Sequence, residues 1–158
     1  MAKKEKTNAM RILDQKKIQY IIHDYTDSGA IAGEDVAKTL GESPEEVFKT
    51  LVTVGKTKQY YVFLVPVCKE LNLKKAAKAV GEKNIEMIKA KELLPLTGYV
   101  HGGCSPIGMK KVFPTTIDAS AQSLNKIYFS AGKIGLQVEV SVSDLNKIAD
   151  FKFDDITE

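Results

Sequence analysis

With 158 residues, 44% apolar and 27% charged side chains and a formal net charge of +3, the chain has the size and balance of a single soluble domain over residues 1–158. Two cysteines, Cys68 and Cys104, exclude a disulfide-dense secreted scaffold. No stretch approaches the ~20 apolar residues that span a bilayer, and the charged start MAKKEKTNAM has no secretory apolar run, so a cytoplasmic protein with no membrane partner is expected. The mild basic excess permits a polyanionic partner without requiring one.

Residues 7–17 read as a helix, with Met10, Leu13 and Lys17 on one side. IQYIIHDY (18–25) is rich in β-formers and reads as a strand; TDSGAIAG (26–33) is a loop. A short helix over 34–40 ends at Gly41, placed as a C′ glycine. SPEE (43–46) carries a helix-start signature: Ser43 to cap, Pro44 at the first position, Glu46 to close a capping box. FKTLVTVG (48–55) and YYVFLVPV (60–67) flank the polar KTKQ and read as strands covered on both faces. Asn72 caps a helix over 73–80 that ends at Gly81, and another helix fits 89–95.

YVHGGCSPIGMKK (99–111) has a β-like start and then a glycine-rich loop. TTID (115–118), KIYFSAG (126–132) and LQVEVSV (136–142) read as short strands, and Ser143 as the cap of a last helix over 144–149. Strands cluster in the middle and late chain among irregularly placed helices. That predicts an α+β fold, a mixed, barrel-like sheet flanked by helices, with no regular βαβ array.

Alternation along 48–55 puts Lys49 on one face with Leu51 and Thr53. Either the lysine snorkels out at the strand entry, or its ammonium enters a cleft and holds a carbonyl or phosphate. Cys104 has His101 three residues away, but no fixed geometry follows across Gly102-Gly103, and a lone cysteine also serves as a small inert apolar residue. A zinc site from His101, Cys104 and Cys68 lacks a fourth ligand with recognisable spacing, so no metal is expected. Ser105 precedes a proline and lacks a nucleophile elbow. No Walker or dinucleotide glycine pattern occurs, so no cofactor is expected. Lys74, Lys75 and Lys78 share one flank of the 73–80 helix, as a solvated face or as phosphate contacts. Lys110, Lys111 and Lys133 border glycine-containing loops, where lysine charge and backbone N–H groups converge on an anion.

HDY (23–25), FKTL (48–51), LNLKKAAKAVG (71–81), TGYVHGGCSPIGMKK (97–111), TTIDASA (115–121) and IYFSAGKIGLQVEV (127–140) resemble, in order and spacing, the blocks of the YbaK/EbsC family. The resemblance covers residues from about 7 to 156, and GGCSPIGMKK looks like the EbsC-type branch. It implies a barrel-like mixed sheet and a trans-editing deacylase that hydrolyses mischarged tRNA, with Cys-tRNA(Pro) as the expected substrate. It also implies kinship to the editing domain of prolyl-tRNA synthetases and a possible complex with that synthetase. For a cysteinyl ester the implied chemistry is attack by the substrate's own thiol, which releases a thiolactone; other aminoacyl groups require a bound water. A non-catalytic tRNA- or synthetase-binding module on the same fold is the alternative.

Carried over by position, Lys49 matches the family's essential lysine, Thr50 follows it, and Tyr25 matches the pocket tyrosine. Gly102 and Pro106 match a G-x-x-x-P loop, with Gly103 beside them; Ser130, Gly132 and Lys133 match a second pocket loop. Phosphate contacts are expected from Lys74, Lys75, Lys78, Lys110 and Lys111. The sequence departs from the family at Ala32, where an aromatic residue is common, and at Ala131, where glycine is common. Both bear on which amino acid is accepted.

Overall fold

The structure, a computed structural model, describes residues 6–158; the charged start MAKKE, read above for targeting, lies outside them. No helix among the described residues is long and apolar enough to cross a membrane.

The chain runs α1 (Asn8–Gln15), β1 (Tyr20–Asp24), α2 (Gly33–Leu40), β2 (Phe48–Gly55), β3 (Tyr60–Pro66), α3 (Leu73–Val80), β4 (Ile85–Met87), α4 (Ala90–Thr97), β5 (Thr115–Asp118), β6 (Lys126–Lys133), β7 (Leu136–Ser141), α5 (Leu145–Ile148) and β8 (Lys152–Asp154). The strands make two sheets. One has the order β1-β7-β6 and is antiparallel; the other, β4-β2-β3-β5-β8, is mixed, since β5 runs parallel to both β3 and β8. The α+β class and the mixed sheet are as expected, but the strands do not close into a barrel. The sheets meet at one corner, where Val47 bridges Tyr128 and the Tyr128 amide donates to Glu46 O at 2.9 Å.

β3 shows why its run is continuously apolar. Val62 and Leu64 enter the large core with Phe129, Val138 and Ile117, while Phe63 and Val65 pack on the other face against Ala76 and Ala77 of α3. A strand buried on both faces has no polar side to alternate with. α3 forms as the sequence indicates: the Asn72 side chain accepts from the Lys75 amide at 3.0 Å, and Gly81 closes it with φ 76°. α2 lies over the corner between the sheets, with Ala37 packed on Val47, Val67 and Tyr128.

The SPEE segment does not start a helix. The Glu46 amide donates to Ser43 O at 2.9 Å in an isolated turn, and β2 begins two residues later. Ser and Pro at the first two positions serve a β-turn as well as a cap, and the strand that follows decides between them. Ser143 does not cap α5 either; its hydroxyl pairs with that of Ser141 at 2.9 Å. The first residues of 99–111 form no strand, and the helix expected over 89–95 extends through Pro95 to Thr97. β4 and β8 went unread because each has only three residues, two of them polar or exposed.

Candidate active site

A cavity of about 580 Å³ opens beside the corner where the sheets meet. That is the size of an ordinary small-ligand site. It gathers Tyr25 after β1, Lys49 and Thr50 on β2, Gly102 in the 99–111 loop and Ser130 on β6. Ala32, His101 and Cys104 also line it.

Register brings these residues together. Lys49 stands opposite Val65 near the start of β2, beside the sheet corner. Its side chain is 28% exposed, and its Nζ lies 3.4 Å from Glu70 Oε1 at the cavity rim. Next to it the Thr50 hydroxyl is shut from water with no hydrogen-bond partner. On β6, Ser130 precedes a bulge between Ser130 and Lys133, where Gly132 takes φ 99° and its amide donates to Ser130 Oγ at 3.1 Å. A bulge of this kind turns a side chain out of the ladder.

The 99–111 loop closes the cavity through its glycines. Gly102 takes φ 85°, and a Cβ there would lie 2.8 Å from the Ile31 side chain. Gly103 does not line the cavity. A Cβ on it would meet the Ile134 amide nitrogen at 2.9 Å, so its role is to seat the loop on the β6–β7 turn. Its own N–H donates to Val100 O at 3.0 Å, whereas no partner among the described residues takes the Gly102 and Cys104 amides.

The N-terminus of α2 forms another wall through Ala32, Gly33 and Glu34. Ala32 gives the helix no side-chain cap. Gly33 allows the helix to approach β3, because a Cβ there would lie 2.3 Å from Val67 Cγ1.

Pro106, Gly132 and Lys133 lie outside the lining. So do the expected phosphate contacts Lys74, Lys75, Lys78, Lys110 and Lys111. Lys75 ties down the C-terminus through Asp155 Oδ2 at 3.0 Å and Thr157 O at 2.8 Å. Lys110 reaches Pro95 O at 3.4 Å, its stem over Gly98. Lys89 reaches the cavity instead. Sequence reasoning also missed Glu70 and Gln137. Gln137 carried a signal: it is a polar residue on the face opposite Leu136, Val138 and Val140.

Cys104 is 8% exposed, and burial pushes its thiol up to about 12, so it carries no thiolate at neutral pH. His101 is exposed. No group of three or more His, Cys, Asp or Glu among the described residues is arranged to hold a metal.

The sequence profile described as the aminoacyl-tRNA editing domain matches residues 28–148. Over 99% of this chain and 98% of the other, the sequence is 45% identical to EbsC of Enterococcus faecalis, a protein named as a candidate Cys-tRNA(Pro)/Cys-tRNA(Cys) deacylase. It is 25% identical to part of the proline–tRNA ligase of Fervidobacterium nodosum, covering 93% of this chain and 24% of the ligase. Two crystal structures share the fold. A hypothetical protein superposes with a TM-score of 0.88 at 22% identity, covering 96% of this chain and 100% of that one. A protein described as a candidate trans-editing enzyme for prolyl-tRNA synthetase gives 0.83 at 22% identity, covering 98% and 99%.

Proposed function

The chain belongs to the aminoacyl-tRNA editing domain family, and from that premise we propose that it is a trans-editing deacylase which removes a wrong amino acid from tRNA(Pro), with Cys-tRNA(Pro) as the first substrate. The observation that carries the reading is the convergence of Lys49, Thr50, Tyr25, Gly102 and Ser130, from separate segments, on one cavity.

An aminoacyl ester is an activated acyl group, so a site that positions it and stabilises the developing oxyanion suffices without a protein nucleophile. Lys49 is the catalytic cation, placed at the mouth to hold the ester carbonyl or a 3′-terminal oxygen. The Gly102 and Cys104 amides of the 99–111 loop supply neutral donors; one such donor contributes roughly 10²–10³-fold. Tyr25, Thr50 and Ser130 shape the space for the amino acid. Gly103, Pro106 and Gly132 hold the two loops, and Lys133 lies at the edge of the second.

For a cysteinyl ester the substrate thiol attacks its own carbonyl carbon. The ester C–O bond breaks, the thiol proton ends on the ribose oxygen, and a thiolactone leaves. For other esters a water oxygen attacks in its place and the free amino acid leaves. Neither route requires the buried Cys104 thiol, and no metal or cofactor is invoked. Lys74, Lys78 and Lys111 are exposed and free to meet phosphates, while Lys75 and Lys110 would first have to leave their protein partners. tRNA(Pro) selection by so small a surface fits an association with prolyl-tRNA synthetase in the cytoplasm.

The test is a deacylation panel of Cys-, Ala-, Ser- and Pro-tRNA(Pro). Deacylation of Cys-tRNA(Pro) well ahead of Pro-tRNA(Pro) is expected. Tight tRNA binding with no deacylation of any member would replace the enzyme by a binding module.

A further inference from the structure

Behind the cavity lies a buried polar cluster that the mechanism above does not use. In the three-stranded sheet His23, Gln137 and Ser130 form one cross-strand row, and Ser130 and Gln137 both line the cavity. Gln137 is 3% exposed. Glu42, just after the Gly41 that ends α2, places its carboxyl beside the Gln137 side chain. Both Glu42 oxygens and Gln137 Oε1 are shut from water, and none has a hydrogen-bond partner among the described residues.

Three buried acceptors without a donor are costly, so the pair settles in one of two ways. An ionised Glu42 only accepts. It takes an N–H from the Gln137 amide, whose carbonyl oxygen is then the acceptor left without a protein donor. A protonated Glu42 donates to that oxygen and leaves the amide NH₂ for the cavity. The strongest donor on an aminoacyl ester is its α-ammonium group, which only the first arrangement accepts.

Resting on the deacylase reading, we propose that Glu42 is a positioning residue that turns the Gln137 carbonyl oxygen toward the substrate's α-amino group. The groups that face Glu42 are His23 from β1, Gln137 and Glu139 from β7, and Lys126 and Tyr128 from β6. His23 is itself paired with Glu139 at 2.9 Å, and Lys126 lies 3.9 Å from the same carboxylate. Burial pushes the Glu42 carboxyl up, while Gln137, His23 and Lys126 draw it down against Glu139. Discrimination for a free amine therefore strengthens as pH rises through the Glu42 titration.

The experiment uses 3′-(L-alanylamino)-3′-deoxyadenosine, a non-hydrolysable aminoacyl-nucleoside, and its N-acetyl form. Binding of both is measured across pH for the wild type, Glu42→Gln and Gln137→Met, beside KM and kcat on the preferred aminoacyl-tRNA. In the wild type the free amine is expected to bind about tenfold better than the N-acetyl form, since hydrogen bonds to charged groups are worth that or more. Glu42→Gln, isosteric and able to donate or accept, loses most of this preference and the part of its pH dependence that Glu42 causes, with the loss falling on KM. Gln137→Met loses the preference at every pH. Glu42→Gln leaves every other ionisable group in place, so the difference between it and the wild type isolates Glu42. An unchanged preference and pH profile in Glu42→Gln overturns the proposal while leaving the deacylase reading intact. A preference that disappears as expected, in a protein that deacylates no tRNA, supports the proposal and sinks the reading.

Discussion

The cavity is polar at two places of opposite character. At the mouth, Lys49 and Glu70 form an ion pair whose carboxylate side chain is 79% exposed. At the back, the Glu42 carboxyl and the Gln137 carbonyl oxygen are shut from solvent, with no hydrogen-bond partner for these oxygens among the described residues. Charge at the mouth is screened and exchangeable, so it is free to act on a ligand and contributes little to the fold. Polarity at the back is dry, so it is coupled to the fold and to the protonation of its neighbours. On the proposed reading, capture and chemistry belong to the mouth, and stability and selectivity to the back.

The largest effect that separates the two is expected from Lys49→Ala. Deacylation should fall by about 10²–10³-fold, the scale of one electrostatic group acting on the transition state. The melting temperature should stay within a degree or two, because the ion pair lost with Glu70 is a solvated one. Steady-state deacylation beside a thermal melt measures both. A large drop in stability, or undiminished activity, would remove the functional mouth from the comparison. The structural counterpart is Gly103→Ala, whose new Cβ would lie 2.9 Å from the Ile134 amide nitrogen, a backbone atom with nowhere to go. We expect a loss of about 1–3 kcal/mol in denaturant unfolding, with activity lowered through the shifted Gly102. Unchanged stability would mean that the loop and the β6–β7 turn separate without cost.

The back of the site predicts an inverse effect. Burial raises the Glu42 carboxyl above its ordinary value, so between that value and its folded one the native state binds more protons than the unfolded chain. Wild-type stability therefore falls as pH rises through this window. Glu42→Gln removes the charge, so it should be more stable than the wild type at neutral pH, by about 1 kcal/mol on the scale of one unpartnered buried group. The advantage should shrink toward pH 4, where the wild-type carboxyl is protonated in both states. Urea unfolding at several pH values measures it. A variant that is less stable at every pH would mean that the ionised carboxyl is well compensated by His23 and Lys126.

How much of this was legible in the sequence follows the same division. β2, β3, α2 and α3 could be read because their signals are local: continuous apolar runs, an Asn72 cap, and glycines at Gly41 and Gly81. SPEE misled because its signal is local too, and the neighbouring strand overrode it. Lys49 stood out as a charge on an apolar strand, and family resemblance supplied Tyr25, Gly102 and Ser130. Glu70 and Glu42 could not be found that way. Each matters through a partner far along the chain, Lys49 for one and Gln137 for the other, and only the packed sheets bring them within reach. The lysines show the reverse: charge pattern marked Lys75 and Lys110 for a ligand, and packing also gives each a backbone carbonyl that no local signal announces, Thr157 O and Pro95 O.

The smallest expected effect lies at Glu70 and decides what the mouth pair is for. The Lys49 ammonium has Glu70 Oε1 at 3.4 Å, a loose contact for a charged pair. If Glu70 only shields Lys49 until substrate arrives, Glu70→Gln frees the ammonium and removes a negative charge facing an incoming polyanion. kcat/KM should then rise about two- to threefold at low ionic strength, matching the 0–1 kcal/mol of an exposed pair. The gain should vanish as salt shortens the screening length to a few ångströms, and kcat should not move. If Glu70 instead holds Lys49 in its productive rotamer, the same substitution lowers kcat at every salt concentration. Salt dependence and the split between kcat and KM thus separate a shield from a support, and a salt-independent loss in kcat would make the mouth as structurally coupled as the back.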